Sequence, residues 1–140
     1  MSDEVFLDSG IFIAFLVESD RLHGEAVRLF STPPRRWSTS VLVVSETYSW
    51  FLHRAGENAA RTFRELLGSL VDLEVLDAGE EHREAVWMKL DAVRGLKLTF
   101  VDASSLVRIA ERKIATVWAT DRHLAIEGAT VVPGPWPGPS

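Results

Sequence analysis

The sequence predicts an α/β fold, a three-layer α/β/α sandwich around a mostly parallel sheet of four or five strands. Two observations predict it. Short apolar runs alternate along the chain with longer segments of helical periodicity, the pattern of strands joined by helical crossovers. The chain also has 140 residues, 46% hydrophobic and 25% charged, the size and balance of one domain that buries a core without staples.

Val5-Phe6-Leu7 is a short apolar run ending in Asp8-Ser9-Gly10, which reads as a buried strand and a sharp turn. Ile11 to Val17 follows as a helix too apolar to face water. Arg21 to Ser31 places Leu22, Ala26, Leu29 and Phe30 at helical spacing opposite a polar face, and Thr32-Pro33-Pro34 breaks it. Trp37-Ser38-Thr39 is the second strand. Ser40 is placed to cap a helix from Val41 to about His53, with an apolar stripe of Val41, Val44, Tyr48, Phe51 and Leu52. After Gly56, Asn58 to Leu70 forms the next helix, and Leu73 to Leu76 the third strand. Gly79 introduces a helix from about Glu80 to Val93, which Gly95 ends. Thr99-Phe100-Val101-Asp102 matches a capping box and opens a helix to about Lys113. Thr116 to Ala119 is the fourth strand and Thr130-Val131-Val132 a short fifth. Residues 1–132 make one domain, and the Pro/Gly-dominated tail, 133–140, should lie outside its core.

Several function classes are excluded at once. There is no cysteine, hence no disulfide framework, thiolate nucleophile or Cys-based zinc site. The opening Met1-Ser2-Asp3-Glu4 is acidic where a secretory signal needs positive charge, and Ile11 to Val17 is far shorter than a membrane span. A soluble, cytoplasmic protein with no membrane contact is the expectation. The net charge of −5 argues against nucleic acid as a partner, unless bound dications reverse the sign locally.

In open parallel sheets, sites form at the carboxyl ends of the strands where the strand order reverses. Asp8 directly follows the first strand and Asp121 the fourth. Asp102 starts the helix before that fourth strand, and Glu46 lies in the second turn of the helix after the second. If the four converge, each pair of carboxylates about 5 Å apart repels by roughly 3 kcal/mol at an effective dielectric near 20. Protonation or cations must relieve that crowding. Oxygen-only ligands select hard ions, so Mg²⁺ or Mn²⁺ is the expected cofactor. Such ions can activate a water and stabilise the leaving oxygen of a phosphodiester. Each acid also has a local reading: Asp8 as a cap of the Ile11 helix, Glu46 as a solvated side chain, Asp102 as half of the capping box, Asp121 as the cap of a short turn from Arg122 to Glu127.

The local words add to the spacing. Val5-Phe6-Leu7-Asp8-Ser9-Gly10 resembles the opening of PIN domains, hydrophobics followed by Asp-Ser or Asp-Thr. Ser40 to Tyr48 resembles the helix that carries the family's glutamate. Leu98 to Ala103 looks like its L-S/T-x-x-D-A segment, and Ala119 to Leu124 like its T-x-D-x-x-F region. The resemblance runs in the family's order to about Val132, and in size and wording it is to the VapC-type toxins of bacterial toxin–antitoxin pairs. It implies a metal-dependent endoribonuclease that hydrolyses RNA phosphodiester bonds with a metal-activated water. Asp8, Glu46, Asp102 and Asp121 would be its metal-binding and catalytic carboxylates. It also implies a cognate antitoxin protein and a homodimer. His123 stands where some relatives carry a further Asp, which implies a weaker second ion site, and Leu124 replaces a more usual Phe.

Supporting positions follow. Ser9 and Thr120 could hydrogen-bond a phosphate or water, or simply suit their turns, and His123 adjoins Asp121. His23 matches a histidine common in such toxins and equally suits a helix surface. Arg108, Arg112, Lys113 and Arg122 flank the last two acids and are candidates for RNA phosphates, or for solvated helix faces. Trp37, Trp50, Trp87 and Trp118 read as core or interface, whereas Trp136 in the tail needs a docking surface such as a dimer mate or partner. Three other functions compete. A catalytically silent PIN-like interaction module is opposed by the presence of all four acids. A Mg²⁺-binding receiver-like signalling domain wants paired acids after the first strand and a lysine after the last. A phosphatase of the haloacid dehalogenase type needs Asp-x-Asp, but Asp8 is followed by Ser9-Gly10.

Overall fold

The computed structural model describes residues 2–135. Five strands and six helices alternate in the order β1 (Ser2–Leu7), α1 (Ser9–Leu16), α2 (His23–Ser31), β2 (Arg36–Ser40), α3 (Val41–Ala55), α4 (Glu57–Ser69), β3 (Leu73–Leu76), α5 (Glu80–Ala92), α6 (Phe100–Glu111), β4 (Ile114–Ala119) and β5 (Thr130–Pro133). A 3₁₀ turn, Arg122–Ala125, lies between the last two strands.

All paired strands are parallel, and the sheet order is β3-β2-β1-β4-β5. Parallel neighbours need crossovers, which the helices supply. The chain moves from β1 outwards through β2 to β3, then returns to the other side of β1 for β4 and β5. The strand order therefore reverses between β1 and β4, which makes the cleft beyond their carboxyl ends the expected place for a site.

The apolar runs form these elements because burial on both faces suits them. Phe6, Leu7, Ile11, Phe12, Val117 and Ala119 are completely buried. Trp37 and Trp118 meet edge-on across the sheet, 6.0 Å between ring centroids, with Phe30 against both, so these two tryptophans are core as expected. Ser40 caps α3 by accepting from the Val43 N–H at 3.1 Å. Thr99 caps α6 by accepting from the Asp102 N–H, and the Asp102 carboxylate accepts from the Thr99 N–H, the reciprocal box the sequence predicts. A smaller apolar cluster of Val86, Ala103 and Val107 joins α5 to α6, where buried His82 contacts the Ser104 hydroxyl through Nε2 at 2.6 Å.

Two ends differ from the sequence reading. β1 begins at Ser2 rather than Val5, which puts Glu4 inside the strand and only 3% exposed. A buried carboxylate is tolerable there because Arg112 grips it bidentately at 2.8 and 3.0 Å while the Ser38 hydroxyl donates to it. Burial pushes the Glu4 carboxyl up, but Arg112, Ser38 and Arg36 outweigh it and hold it below its ordinary value. At the other end, β5 runs through Pro133, expected in the tail. Proline is accommodated because β5 is an edge strand, and the chain stays attached one residue further, where the Gly134 N–H donates to the Ala119 carbonyl at 3.0 Å. Trp136, with the rest of the predicted tail, lies outside the described residues.

Candidate active site

Asp8 stands at the point of strand reversal. It directly follows β1, its backbone N–H bonds the Trp118 carbonyl of β4 at 2.9 Å, and it is 5% exposed. It occupies the cap position of α1 in extended conformation, yet its side chain makes no cap bond to that helix. Its Oδ1 is buried with no hydrogen-bond partner. Orphaned buried carboxylate oxygens are costly and rare. Burial, above all, drives the Asp8 carboxyl up to about 7, against the pull of the neighbouring Ser9 N–H, and the charges of Glu46, Asp102 and Asp121 push it further.

The other three acids arrive from separate elements. Glu46, half-buried on α3, is raised by its own burial, lowered by a hydrogen bond from the Ser9 side chain, and raised again by Asp102 and Asp121. Asp102 enters from the first turn of α6, where Oδ2 takes the Thr99 N–H at 3.2 Å. Asp121 follows β4 and caps the 3₁₀ turn, its Oδ1 accepting from the His123 N–H at 2.9 Å and facing the His123 ring Nδ1 at 3.0 Å. The four acids thus share one electrostatic neighbourhood although they are drawn from four separate places in the chain.

The approach is not yet a coordination sphere. Among the described residues no three His, Asp or Glu side chains stand close enough to hold an ion between them. Mutual repulsion and the capping bonds of Asp102 and Asp121 both favour such a spread arrangement. In donor chemistry the set fits a hard dication: it is all oxygen, and the Asp8 oxygen lacks any other partner. In distance it requires side-chain rotation inwards.

The flanking candidates separate. The Ser9 side chain reaches Glu46, so its role is to hold a carboxylate. Thr120 packs against Gly10 so tightly that a Cβ at position 10 would lie 2.1 Å from its Oγ1. The Asp8-Ser9-Gly10 turn therefore needs glycine for a close approach, a constraint that its reading as a turn did not capture. His123 braces Asp121. His23 Nδ1 bonds the Ala14 carbonyl at 2.9 Å, which ties α2 to α1. Arg122 is exposed beside Asp121.

Two of the candidate RNA contacts have partners within the protein. The Arg112 guanidinium is fully engaged by Glu4 and by Glu74 at 2.8 Å, within the β1 and β3 strands. Arg108 is held by the Asp77 carbonyl and by Glu111 at 3.1 Å. α6 carries both away from Asp102 towards partners that the sequence order does not reveal, and these bonds have a structural role in the fold.

Comparison with known proteins gives a consistent picture. Residues 5–126 match the profile of the family described as PIN domain. Among solved structures, the chain resembles Mycobacterium tuberculosis VapC20, described as a sarcin–ricin loop cleaving toxin, at 26% identity and TM-score 0.82, over 90% of this chain and 96% of that one. PAE2754 of Pyrobaculum aerophilum is similar at 20% identity and TM-score 0.61, over 94% and 91%. VapBC2 of Rickettsia felis, solved bound to a DNA fragment from its promoter, is similar at 12% identity and TM-score 0.58, over 91% and 96%. The last two bear on the fold alone. No curated protein matches the chain significantly.

Proposed function

The chain belongs to the PIN-domain family, and on that premise we propose that it is a metal-dependent endoribonuclease, the toxin of a toxin–antitoxin pair. The observation that carries the reading is the buried, unpartnered Oδ1 of Asp8 at the strand reversal, with the charges of Glu46, Asp102 and Asp121 bearing on it. A lone hydrogen-bonding or capping role leaves that oxygen unexplained. The likeness to a toxin that cleaves RNA, over nearly the full length of both chains, supports the same reading.

In this reading Asp8, Glu46, Asp102 and Asp121 hold Mg²⁺ or Mn²⁺. When bound, such an ion supplies Lewis-acid polarisation of a phosphoryl oxygen and lowers the pKa of water. The protein's part is orientation. The β1–β4 junction fixes Asp8, the α6 capping box aims Asp102, His123 braces Asp121, and Ser9 restrains Glu46. An antitoxin is the expected partner and a homodimer the expected assembly.

The test uses purified protein with structured RNA, a sarcin–ricin loop hairpin included, in Mg²⁺ or EDTA. Cleavage that needs the ion and disappears in Asp8→Asn is the expected result. Cleavage in EDTA, or cleavage unchanged by Asp8→Asn, refutes it. A small DNA-binding protein encoded next to this chain is the expected antitoxin, and co-expression tests it: the pair should co-purify and cleavage should fall. A second reading, a catalytically silent PIN-like interaction module, draws on the spread of the carboxylates. Calorimetric titration with Mn²⁺ separates the two, since a silent pocket releases no binding heat.

A further inference from the structure

The first turns of α3 and α6, the helices that carry Glu46 and Asp102, form two walls of a cleft of about 530 Å³, lined among others by Leu42, Gly79, His82 and Phe100. Its size falls within the roughly 300–1,000 Å³ of small-ligand sites. Leu42 stands four residues before Glu46 on α3, so the two side chains share one helix face, about 6 Å apart along the axis. Phe100 opens α6 two residues before Asp102. A third wall, Ala78 and Gly79, follows β3 at the carboxyl edge of the sheet. An RNA strand whose phosphate meets the carboxylates therefore has this opening beside it.

The lining suits a flat, uncharged group with polar edges. Phe100 offers a ring, held edge-on by half-exposed Trp87 at 5.0 Å between centroids. His82 is 7% exposed; its Nε2 pairs with the Ser104 hydroxyl at 2.6 Å, and its Nδ1 is buried with no partner among the described residues. An orphaned ring nitrogen at a cleft wall is costly unless a ligand completes it. Burial first, and then the Arg108 charge, hold the imidazole below its ordinary pKa against the pull of Glu111, so it is uncharged near neutral pH. Beside it α5 starts from Gly79, which brings no side-chain cap, and the first N–H groups of a helix have no partner within it. A Cβ on Gly79 would meet nothing within 4 Å, so the space there is open. The charges at the rim, Glu80 and Arg83, stand 3.8 Å apart and cancel, which favours a neutral occupant over an ionic one.

We propose that this cleft reads one base of a single-stranded RNA segment beside the scissile phosphate, with the base face on Phe100 and its edge hydrogen-bonded by His82 and the free N–H groups of α5. Unstacked RNA bases are recognised in this way, on aromatic rings and through their polar edges. The cleft needs no positive charge of its own, because a base is neutral and its phosphate lies outside, towards the carboxylates. The proposal rests on the ribonuclease reading and adds discrimination among bases.

The test uses full-length wild-type protein, Mg²⁺ and an RNA that it cleaves within a single-stranded stretch, in which each nucleotide near the cut is in turn made abasic. One position should be sensitive, with kcat/KM falling about 5- to 100-fold when its base is removed, and there the four bases should be cleaved unequally. Gly79→Leu fills the open space and should close the gap between intact and abasic RNA at that position alone. His82→Phe should level the preference among the four bases, and His82→Asn, which keeps a polar group near the place of Nδ1, should retain part of it. A purely structural role for His82 would lower the melting temperature without changing which base is preferred. Circular dichroism melts check folding, and Phe100→Leu, which should also narrow the gap, covers the case in which Gly79→Leu does not fold. Equal cleavage of intact and abasic RNA by the wild type, or an unchanged base preference in the folded variants, overturns the cleft assignment while the ribonuclease reading stands. A wild type that cleaves no RNA overturns the ribonuclease reading, and the cleft assignment with it.

Discussion

Asp8→Asn should make the ion-free protein more stable, and increasingly so as pH rises. Asp8 is 5% exposed, and its carboxyl is raised from an ordinary 3.8 to about 7. A folded-state pKa above the unfolded one means that the native state favours the protonated form. The native state therefore loses stability as pH rises from the unfolded value through the folded one. With those two values the cost of ionisation is roughly 2 kcal/mol at pH 5 and roughly 4 kcal/mol at pH 8, at about 1.4 kcal/mol per unit. Asparagine carries no such cost. The stability gap between variant and wild type should therefore widen by roughly 2–3 kcal/mol between pH 5 and pH 8. Urea unfolding in EDTA reads this directly, as a midpoint displaced by about 1 M or more for a slope near 2 kcal/mol/M. Adding Mg²⁺ at pH 8 should stabilise the wild type and leave Asp8→Asn unchanged. A gap that is flat with pH, or that narrows, refutes the claim that Asp8 is a strained carboxylate awaiting a cation.

Arg112→Ala should destabilise the protein by about 3 kcal/mol near neutral pH, because it strands the buried Glu4 charge, and cleavage per folded molecule should be unchanged. Since the Glu4 pKa lies below its ordinary 4.5, the contribution of its partners is full above that value and is lost as pH falls through the lowered one; acid titration of the two proteins should therefore converge. Gly10→Ala should cost about 1–3 kcal/mol and much of the activity, as its Cβ meets the Thr120 hydroxyl, and a second change, Thr120→Ala, should recover part of both; strict additivity would contradict the contact. Asp102→Ala should lower stability by about 1 kcal/mol through loss of the capping box and remove the stabilisation by Mg²⁺, both visible in thermal melts with and without the ion.

What could be read from sequence was whatever neighbours in the chain decide. Ser40 and Thr99 announce their helices because a cap bond spans three residues. The apolar runs announce β1 and β4 because burial on both faces needs no partner identity. Glu4 was illegible for the opposite reason: its burial depends on Arg112, 108 positions away. The same distance hid the ion pair that Arg112 makes. Nearness in sequence to Asp102 suggested a shared task, yet ten residues of helix displace it by roughly 15 Å along the α6 axis. Trp50 was legible as a packing residue and does pack, partly buried, against the core, whereas Gly10 was read only as a turn because its contact, Thr120, lies on another strand's end.

The local and functional readings of the acids also turn out to be compatible. Asp102 Oδ2 accepts from the Thr99 N–H, and Asp121 Oδ1 accepts from the His123 N–H, so each carboxylate is anchored through one oxygen. Anchoring of that kind fixes where the second oxygen points and reduces the freedom lost when an ion is taken up. Asp8 differs, since it sits in a cap position without capping and keeps an oxygen that nothing in the protein satisfies. Had all four acids been saturated by local bonds, the fold would gain stability and the junction of β1 and β4 would have no use for a cation. On the proposed reading, the unsatisfied oxygen of Asp8 is what separates a cation site from an ordinary helix end at the junction of β1 and β4.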